Sequence, residues 1–192
     1  MINKRRNSAR RLAYAAMLIA LDVVLSRFCS INTAGTKIGF AFVPIVVAAS
    51  LFGPLSAAMI YGISDLIGAL LFPIGPYHPG FTLCAALMGF VYGIFLYKPL
   101  ENESGICVKW KKIRLFPNVV LPSLINNLLF GLLVNTYWVA MLYNKNTYVG
   151  WLIIRLTEYA ILVPLNIILI PVLLRLCREL RKTIVVKDGR KI

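Results

Sequence analysis

The chain has 192 residues, of which 59% are hydrophobic and only 15% are charged, yet its formal net charge is +14. A soluble domain normally carries about 25% charged residues, so this composition excludes an ordinary soluble enzyme, a disordered tail and a disulfide scaffold. At roughly 20 residues per crossing, the length allows about five to seven membrane spans.

Six apolar segments follow one another along the chain, and each predicts a transmembrane helix. They cover residues 12–28, 40–52, 55–72, 81–97, 118–141 and 151–176. The second segment is short and contains Pro44 near its start, so we expect it to be tilted, broken or shielded by neighbouring helices. Gly53 and Pro54 predict a tight connection between the second and third segments.

The basic residues are concentrated on one side of this arrangement. Of the 21 Lys and Arg residues, five precede the first segment, five lie between the fourth and fifth, and seven lie at or beyond the end of the sixth, beginning with Arg175. By the positive-inside rule both termini are cytoplasmic, and the charge orients the chain rather than binding nucleic acid. The sequence therefore predicts an all-α integral membrane protein with six transmembrane helices. We expect one membrane domain over residues 1–192, with a basic N-terminus at 1–11, a six-helix bundle at 12–176 and a basic tail at 177–192.

No motif for a familiar catalytic or cofactor site is present. The chain contains no P-loop, no HExxH, no GxSxG and no Cys/His cluster, and a single histidine, His78, cannot form a metal site alone. A binding or transport function without a metal or cofactor is the simpler expectation.

Ionisable side chains within apolar segments are costly in a bilayer, so they are candidates for a binding site. The sixth segment places Arg155 and Asn166 on one helical face, with Glu158 and Tyr159 on its flanks. Arg155 and Glu158 either line a pocket or only form an ion pair near the helix end. Asp65 projects from a face of small residues, where it either binds a ligand or is satisfied structurally by a backbone amide or by Arg155.

A loop between the third and fourth segments supplies further candidates. Residues 72–81 are rich in proline and glycine, which is typical of a shaped loop over a cavity. We expect Tyr77 and His78 of this loop to contact a ligand. Asn135 and Trp138, near the end of the fifth segment, are also candidates, although aromatic residues there equally fit an interfacial belt.

Small residues form a stripe along the first segment. Ala9, Ala13, Ala16 and Ala20 fall within about 60° on a helical wheel, and such a stripe lets another helix pack closely. The neighbour is either a partner subunit or another helix of the same chain. Arg27 lies close to Ala20 on the same helical wheel. If Arg27 lines a pocket while the alanines contact another helix, the two surfaces must lie at different depths along the helix, or the helix must be distorted.

Five stretches resemble the folate family of substrate-binding S components of energy-coupling factor (ECF) vitamin transporters. They are AAMLIALDVVLSRF (15–28), FVPIVVAASLFGP (42–54), DLIGALLFPIGPYHPGFTL (65–83), GFVYGIFLY (89–97) and NTYWVAMLY (135–143). The resemblance implies a six-helix bundle without enzymatic activity, which binds folate or a related pterin in an outward-facing pocket. Arg27 resembles the ligand-contacting arginine of that family.

The resemblance also implies partners in a bacterial cell membrane. These are a transmembrane coupling subunit and, attached to it, two cytoplasmic ABC ATPase subunits. In that family an AxxxA pattern on the first helix contacts the coupling subunit, and Ala16 to Ala20 match the pattern. The alternatives are an S component for a queuosine precursor or thiamin, a small integral membrane enzyme that uses the intramembrane ionic groups, and an assembly subunit without a ligand.

Overall fold

The fold is helical, with one short β-hairpin between the first two helices. The computed structural model describes the backbone of residues 2–33, 36–101, 116–143 and 147–187, and the side chains of residues 9–31, 37–97, 118–143 and 147–178. Residues 102–115, which include much of the predicted basic loop, and residues 188–192 of the predicted tail lie outside the described ranges.

All six predicted segments are helical. The middle four have boundaries within about four residues of those expected, whereas the first helix begins at Ile2, ahead of the predicted start at residue 12. The first four elements after the N-terminus are α1 (Ile2–Arg27), β1 (Ser30–Thr33), β2 (Thr36–Gly39) and α2 (Phe42–Phe52). They are followed by α3 (Pro54–Leu71) and α4 (Pro79–Glu101). The fifth segment is made of the π-helix π1 (Phe116–Val120), α5 (Leu121–Leu124), the π-helix π2 (Ile125–Val134) and α6 (Asn135–Tyr143). The last helix, α7 (Tyr148–Lys187), extends well beyond the predicted end at residue 176.

Four of these segments are long and apolar enough to cross a membrane. They cover Pro54–Leu71, Pro79–Tyr97, Asn118–Tyr143 and Tyr148–Arg178. The helix α2 is apolar but has only 11 residues, and α1 contains Arg10, Arg11, Asp22 and Arg27. The all-helical membrane architecture is therefore confirmed, whereas the number of crossings and the orientation of the termini stay predictions.

The short helix α2 lies at the centre of the bundle. It packs against α1, α3, α4 and α7, and its side chains Ile45, Val46, Ala48 and Ala49 are almost completely buried. Pro44 sits in the first turn, where the backbone N–H that proline lacks has no partner within the helix, so the helix is continuous. The expected shielding by neighbours is confirmed, and it explains how so short a segment remains helical.

Unlike the other predicted spans, the fifth segment departs from regular α-helix. Pro122 cannot donate a backbone hydrogen bond, and two wide π-helical stretches flank the single α-turn that contains it. Polar side chains satisfy carbonyl groups in this region. Ser123 Oγ donates to the Val119 carbonyl at 2.6 Å, and Asn127 Nδ2 donates to the Ser123 carbonyl at 2.8 Å. The altered register turns polar side chains of π2 towards the bundle interior.

The β-hairpin was not predicted from the sequence. Its strands pair antiparallel, with Ile31 opposite Ile38 and Asn32 opposite Lys37. A Cβ atom at Gly39 would lie 2.7 Å from the Ser30 Cβ atom, so glycine allows the strands to approach at this end. The hairpin packs against α7 through β2, which places Lys37 over the interior of the bundle.

Glycines let α3 and α4 cross at close distance. A Cβ atom at Gly93 would lie 2.2 Å from the Pro54 Cα atom, and one at Gly89 would lie 2.6 Å from the Ala57 carbonyl oxygen. Both neighbouring atoms belong to the backbone, so neither can move without shifting a helix. At Gly62 the same test gives 3.3 Å to the Ala86 Cβ atom, which is a far milder approach.

We expect Gly93→Ala to destabilise the protein by about 1–3 kcal/mol, because overpacking against backbone forces the two helices apart. Gly62→Ala is the matched control, and it should change stability by less than about 1 kcal/mol because alanine also favours the helix. Thermal unfolding in detergent measures both variants. Equal midpoints for Gly93→Ala and Gly62→Ala would contradict the close approach.

Candidate ligand-binding site

Two adjoining cavities lie inside the bundle. The larger, of about 270 Å³, is bounded by the loop from Pro73 to Tyr77, and we call it the loop cavity. The smaller, of about 190 Å³, lies among side chains of α4, π2 and α7, and we call it the core cavity. The residues that border both cavities are Lys37, Tyr61, Met88, Asn135 and Arg155. These shared walls make the two cavities a single candidate site.

Arg27, the last residue of α1, lies over Gly68 of α3 at the wall of the loop cavity. A Cβ atom at Gly68 would lie only 2.8 Å from Arg27 Nε, so a larger residue there would displace the guanidinium. Arg27 Nη2 is 3.8 Å from Asp65 Oδ1, and the arginine side chain is 11% exposed. Among the described groups, none accepts a hydrogen bond from Arg27 Nε. Arg27 therefore retains donors that a ligand can use.

Asp65 connects three elements around the loop cavity. Thr82 Oγ1 of α4 donates to Asp65 Oδ2 at 2.8 Å, and the Tyr77 hydroxyl lies 3.0 Å from the same threonine oxygen. Since the threonine hydroxyl gives its one proton to Asp65, Tyr77 is the donor in the second bond. The sequence analysis expected a backbone amide or Arg155 as the structural partner of Asp65. The partners are instead Arg27 and Thr82, because the start of α4 lies beside α3.

Arg155 is buried and holds contacts on three sides. Its Nε lies 3.4 Å from Glu158 Oε2, its Nη1 donates to Thr136 Oγ1 at 3.2 Å, and its Nη2 donates to the Tyr159 hydroxyl at 2.9 Å. Arg155 borders both cavities, and Glu158 and Tyr159 border the core cavity. Both expectations for Arg155 and Glu158 therefore apply. The two side chains form an ion pair, and the pair borders the pocket rather than lying at an exposed helix end.

Amide side chains line the core cavity. Asn126 Nδ2 donates to the Met88 carbonyl at 3.1 Å, which links π2 to α4 as expected for an interhelical contact. Among the described residues, the Oδ1 atoms of Asn135 and Asn166 are buried and receive no hydrogen bond. Buried amide oxygens without donors are unfavourable, so the core cavity suits a ligand that brings hydrogen-bond donors or ordered water.

Lys37 reaches the interior from β2 and borders both cavities. The strand β2 that carries it packs against α7. Burial, and to a smaller extent the neighbouring Arg27 guanidinium, lower the pKa of the Lys37 ammonium from 10.5 to about 8 against the opposing effect of nearby carboxylates. The side chain is thus a partly desolvated cation at the junction of the two cavities.

The model of the family "ECF transporter, substrate-specific component" matches residues 10–174 of this chain. The chain belongs to this family. The S component is accordingly a membrane transport subunit, and the membrane-enzyme alternative is set aside. Over 157 residues it is 36% identical to the folate transporter FolT of Clostridium novyi (strain NT), covering 82% of this chain and 83% of that protein. It is 30% identical to the folate transporter FolT of Leuconostoc mesenteroides subsp. mesenteroides over 135 residues, or 70% and 66% of the two chains.

Solved structures give the same family and fold. The S component is similar to a crystal structure of FolT bound with folic acid, with a TM-score of 0.73 and 32% identity over 88% of this chain and 97% of that chain. It also shares the fold of the S component for biotin from an ECF-type ABC transporter. That match has a TM-score of 0.63 and 19% identity over 92% of this chain and 93% of that chain.

Most of the predicted site residues come together in the S component. Arg27, Asp65, Tyr77, Asn135 and Arg155 border the loop cavity, and Asn135, Arg155 and Glu158 border the core cavity. His78 and Trp138 border neither cavity. Their rings stack on each other at 4.5 Å between centroids, and His78 Nδ1 accepts a hydrogen bond from the Gly80 N–H at 3.1 Å. They hold the end of the loop against α6, which spacing along the sequence could not reveal.

The alanine stripe lies on the exposed face of α1. Ala9, Ala13, Ala16 and Ala20 are all exposed, whereas Asp22 and the neighbouring Leu18, Val23 and Ser26 are buried. Within the part of the chain that the structure describes, no other helix covers this stripe. Arg27 is mostly covered although it lies near Ala20 on an ideal wheel, since seven residues separate the two by about 10 Å along the helix.

Sequence reasoning missed several residues that border the site. Lys37, Tyr61, Met88 and the α4 residue Tyr92 line the cavities, and Thr82 donates a hydrogen bond to Asp65 in the cavity wall. Lys37 carried a signal, because a lysine in the loop after the first segment is an exception to the positive-inside rule. The others lie within apolar or mixed stretches, and only the packing of α3 against α4 brings them to the cavities.

We expect Tyr77→Phe to loosen the loop over the larger cavity, because it removes the hydroxyl that donates to Thr82. Amide hydrogen exchange in residues 73–78 should rise about two- to tenfold, in line with the loss of one hydrogen bond. Tyr137→Phe is the matched control, since Tyr137 is exposed beside the same region. Unchanged exchange in Tyr77→Phe would show that the loop does not depend on this bond.

Proposed function

We propose that the S component binds folate or a related pterin vitamin and delivers it to an ATPase-driven coupling complex. Two relatives, 36% and 30% identical to this chain over the aligned residues, are folate transporters named FolT, and a similar crystal structure is that of FolT bound with folic acid. The observation that carries the proposal is the Arg27 guanidinium, which is covered by the fold, only loosely paired with Asp65 and open to the loop cavity.

The two cavities have the size and the polar groups for such a ligand. Small-molecule pockets in proteins have volumes of about 300–1,000 Å³, and the two adjoining cavities together fall in this range. Pterins carry a planar edge of donors and acceptors, which matches the guanidinium of Arg27 and the amide of Asn135. Asp65, Tyr77, Arg155 and Glu158 contribute as further ligand contacts or hold those contacts in position. The proposed ligand-binding residues are Arg27, Asp65, Tyr77, Asn135, Arg155 and Glu158.

His78 and Trp138 have a different part in this proposal. Because their stacked rings lie beside the loop cavity rather than in its wall, we assign them to supporting the loop that covers the ligand. Their contribution to affinity is then indirect, through the position of residues 73–77.

The proposed orientation places both termini in the cytoplasm, with six crossings and a single membrane domain. The distribution of Lys and Arg supports it, and so does the succession of six helical segments along the chain. In this orientation the loop cavity opens to the outside, where a vitamin enters.

The partner in delivery is a transmembrane coupling subunit attached to two cytoplasmic ABC ATPase subunits. We propose that it docks on the stripe of Ala9, Ala13, Ala16 and Ala20, whose exposure on α1 leaves room for close approach of a second helix. The absence of a P-loop from the sequence is consistent with ATP hydrolysis in the partner subunits.

The binding proposal is tested with Arg27→Ala in purified protein. We expect folate affinity to fall about 10- to 100-fold, since a hydrogen bond to a charged group contributes about 1.5–3 kcal/mol. Arg11→Ala is the matched control, because it removes an exposed arginine of the same helix. Titration calorimetry with folic acid measures all three proteins. If the unmutated protein does not bind folic acid but binds thiamin or a queuosine precursor, the substrate proposal is wrong, whereas membership of the transporter family is unaffected.

The docking proposal is tested with Ala16→Leu and Ala20→Leu. Larger side chains should obstruct a second helix, so uptake driven by the assembled transporter should fall at least tenfold while folate affinity stays within about twofold. Ala160→Leu adds the same side chain at an exposed position of α7 and serves as the control. Normal uptake by both stripe variants would remove this face from docking.

A further inference from the structure

Lys37 is a cation at the site that the proposed function does not yet use. It lies on β2, and its side chain forms part of the wall of both the loop cavity and the core cavity. The ligand-binding set proposed above comes from helices and from the loop after α3. Lys37 instead belongs to the hairpin that covers the bundle interior. A bound ligand that contacts Lys37 would therefore also contact the hairpin.

The other two cations at the site already have protein partners. Arg155 contacts Glu158, Thr136 and Tyr159, and Arg27 is paired with Asp65. Among the described residues, no carboxylate forms an ion pair with the Lys37 ammonium. Lys37 is thus the basic group at the site without a direct anionic contact in the part of the chain that the structure describes.

Three carboxylates act on Lys37 through space, but each is engaged elsewhere. Asp22 is buried and accepts a hydrogen bond from Ser64. Asp65 contacts Arg27 and Thr82, and Glu158 contacts Arg155, as described above. A partly buried ammonium without a direct acceptor is costly, and the lowered pKa of Lys37 reports that cost. An anionic group on a bound ligand would remove this energetic cost by pairing with the ammonium.

We propose that Lys37 binds a carboxylate of the ligand's glutamate tail and so makes the site selective for anionic folates over neutral pterins. This inference rests on the proposed function and deepens it. Lys37 borders the same loop cavity as Arg27, so a ligand that places its pterin against Arg27 holds its glutamate tail within the cavity that Lys37 lines. A neutral pterin has no carboxylate for Lys37 and leaves the ammonium desolvated without a partner.

Several titratable and charged groups face Lys37 from the elements around it. They are Asp22 and Arg27 of α1, Tyr61 and Asp65 of α3, Tyr92 of α4, Tyr143 of α6, and Arg155, Glu158 and Tyr159 of α7. The residues of β1 opposite Lys37 carry no ionisable side chain. A conservative variant at position 37 leaves all of these groups in place, which isolates the contribution of the lysine itself.

The first experiment removes the charge from the protein and from the ligand in turn. We measure binding of folic acid and of its dimethyl ester to the unmutated protein, to Lys37→Met and to the control Arg11→Met. The ester has the same rings but no free carboxylates. We expect Lys37→Met to weaken folic acid binding about 10- to 100-fold and to change ester binding by less than about threefold. Arg11→Met should leave both affinities unchanged.

The outcomes separate this inference from the proposed function. Equal losses for folic acid and the ester in Lys37→Met would mean that Lys37 contacts the pterin or only holds the hairpin, and the inference would be wrong. Unchanged affinity for folic acid would also overturn it. If the unmutated protein binds neither ligand, the proposed function fails and the inference fails with it.

The second experiment uses the pH dependence of binding. The lysine must be protonated to bind a carboxylate, so folic acid affinity should fall as pH rises through about 8, the pKa of Lys37 in the free protein. Between pH 7 and 9 the loss should reach up to about tenfold beyond that of Lys37→Arg, whose guanidinium does not titrate in this range. Titration of the ligand is common to both proteins and cancels in their ratio. Identical pH profiles would contradict the assignment.

Discussion

Charged side chains inside an apolar bundle need partners within the protein, because an unpaired charge is costly where little water reaches it. In this S component they do so across helices. Asp22 of α1 meets Ser64 of α3, Arg27 of α1 meets Asp65 of α3, and Arg155 of α7 meets Thr136 of α6. Each contact determines where two helices approach at this end of the bundle. The cavities lie where these contacts converge, so the arrangement that satisfies the charges also forms the candidate site.

The rest of the bundle has a different physical basis. Away from the cavities, the apolar side chains of α2 pack against Leu96 and Ile170, and small residues bring helices close together. This close-packed part supports α1 and α3, which carry the site. Helix α1 contributes to both the candidate site and the proposed docking face. Its buried face carries Asp22, and its opposite face carries the alanine stripe. Binding and docking are thus properties of one rigid element in this proposal.

Particular residues show how far sequence reasoning reached. Asp65, Arg155 and Glu158 were identified because ionisable groups in apolar segments need a reason, and all three border a cavity. His78 and Trp138 were grouped with them for their chemistry, but their stacked rings lie outside both cavities. Lys37 falls between the first two predicted segments, where the sequence analysis expected no helix or strand. Its position followed from the β-hairpin, which depends on strand pairing and on contacts with α7 that no local pattern encodes.

Composition and hydropathy by themselves determined the class of protein, the helical segments and the residues that need partners in lipid. These properties are local, because the cost of burying a charge or an unpaired amide depends on the residue and on the length of its segment. The tertiary structure alone decided which charges meet, which residues line the cavities and which face of α1 stays exposed. Those outcomes depend on side chains from distant segments competing for the same contacts, so they exist only once the helices are packed.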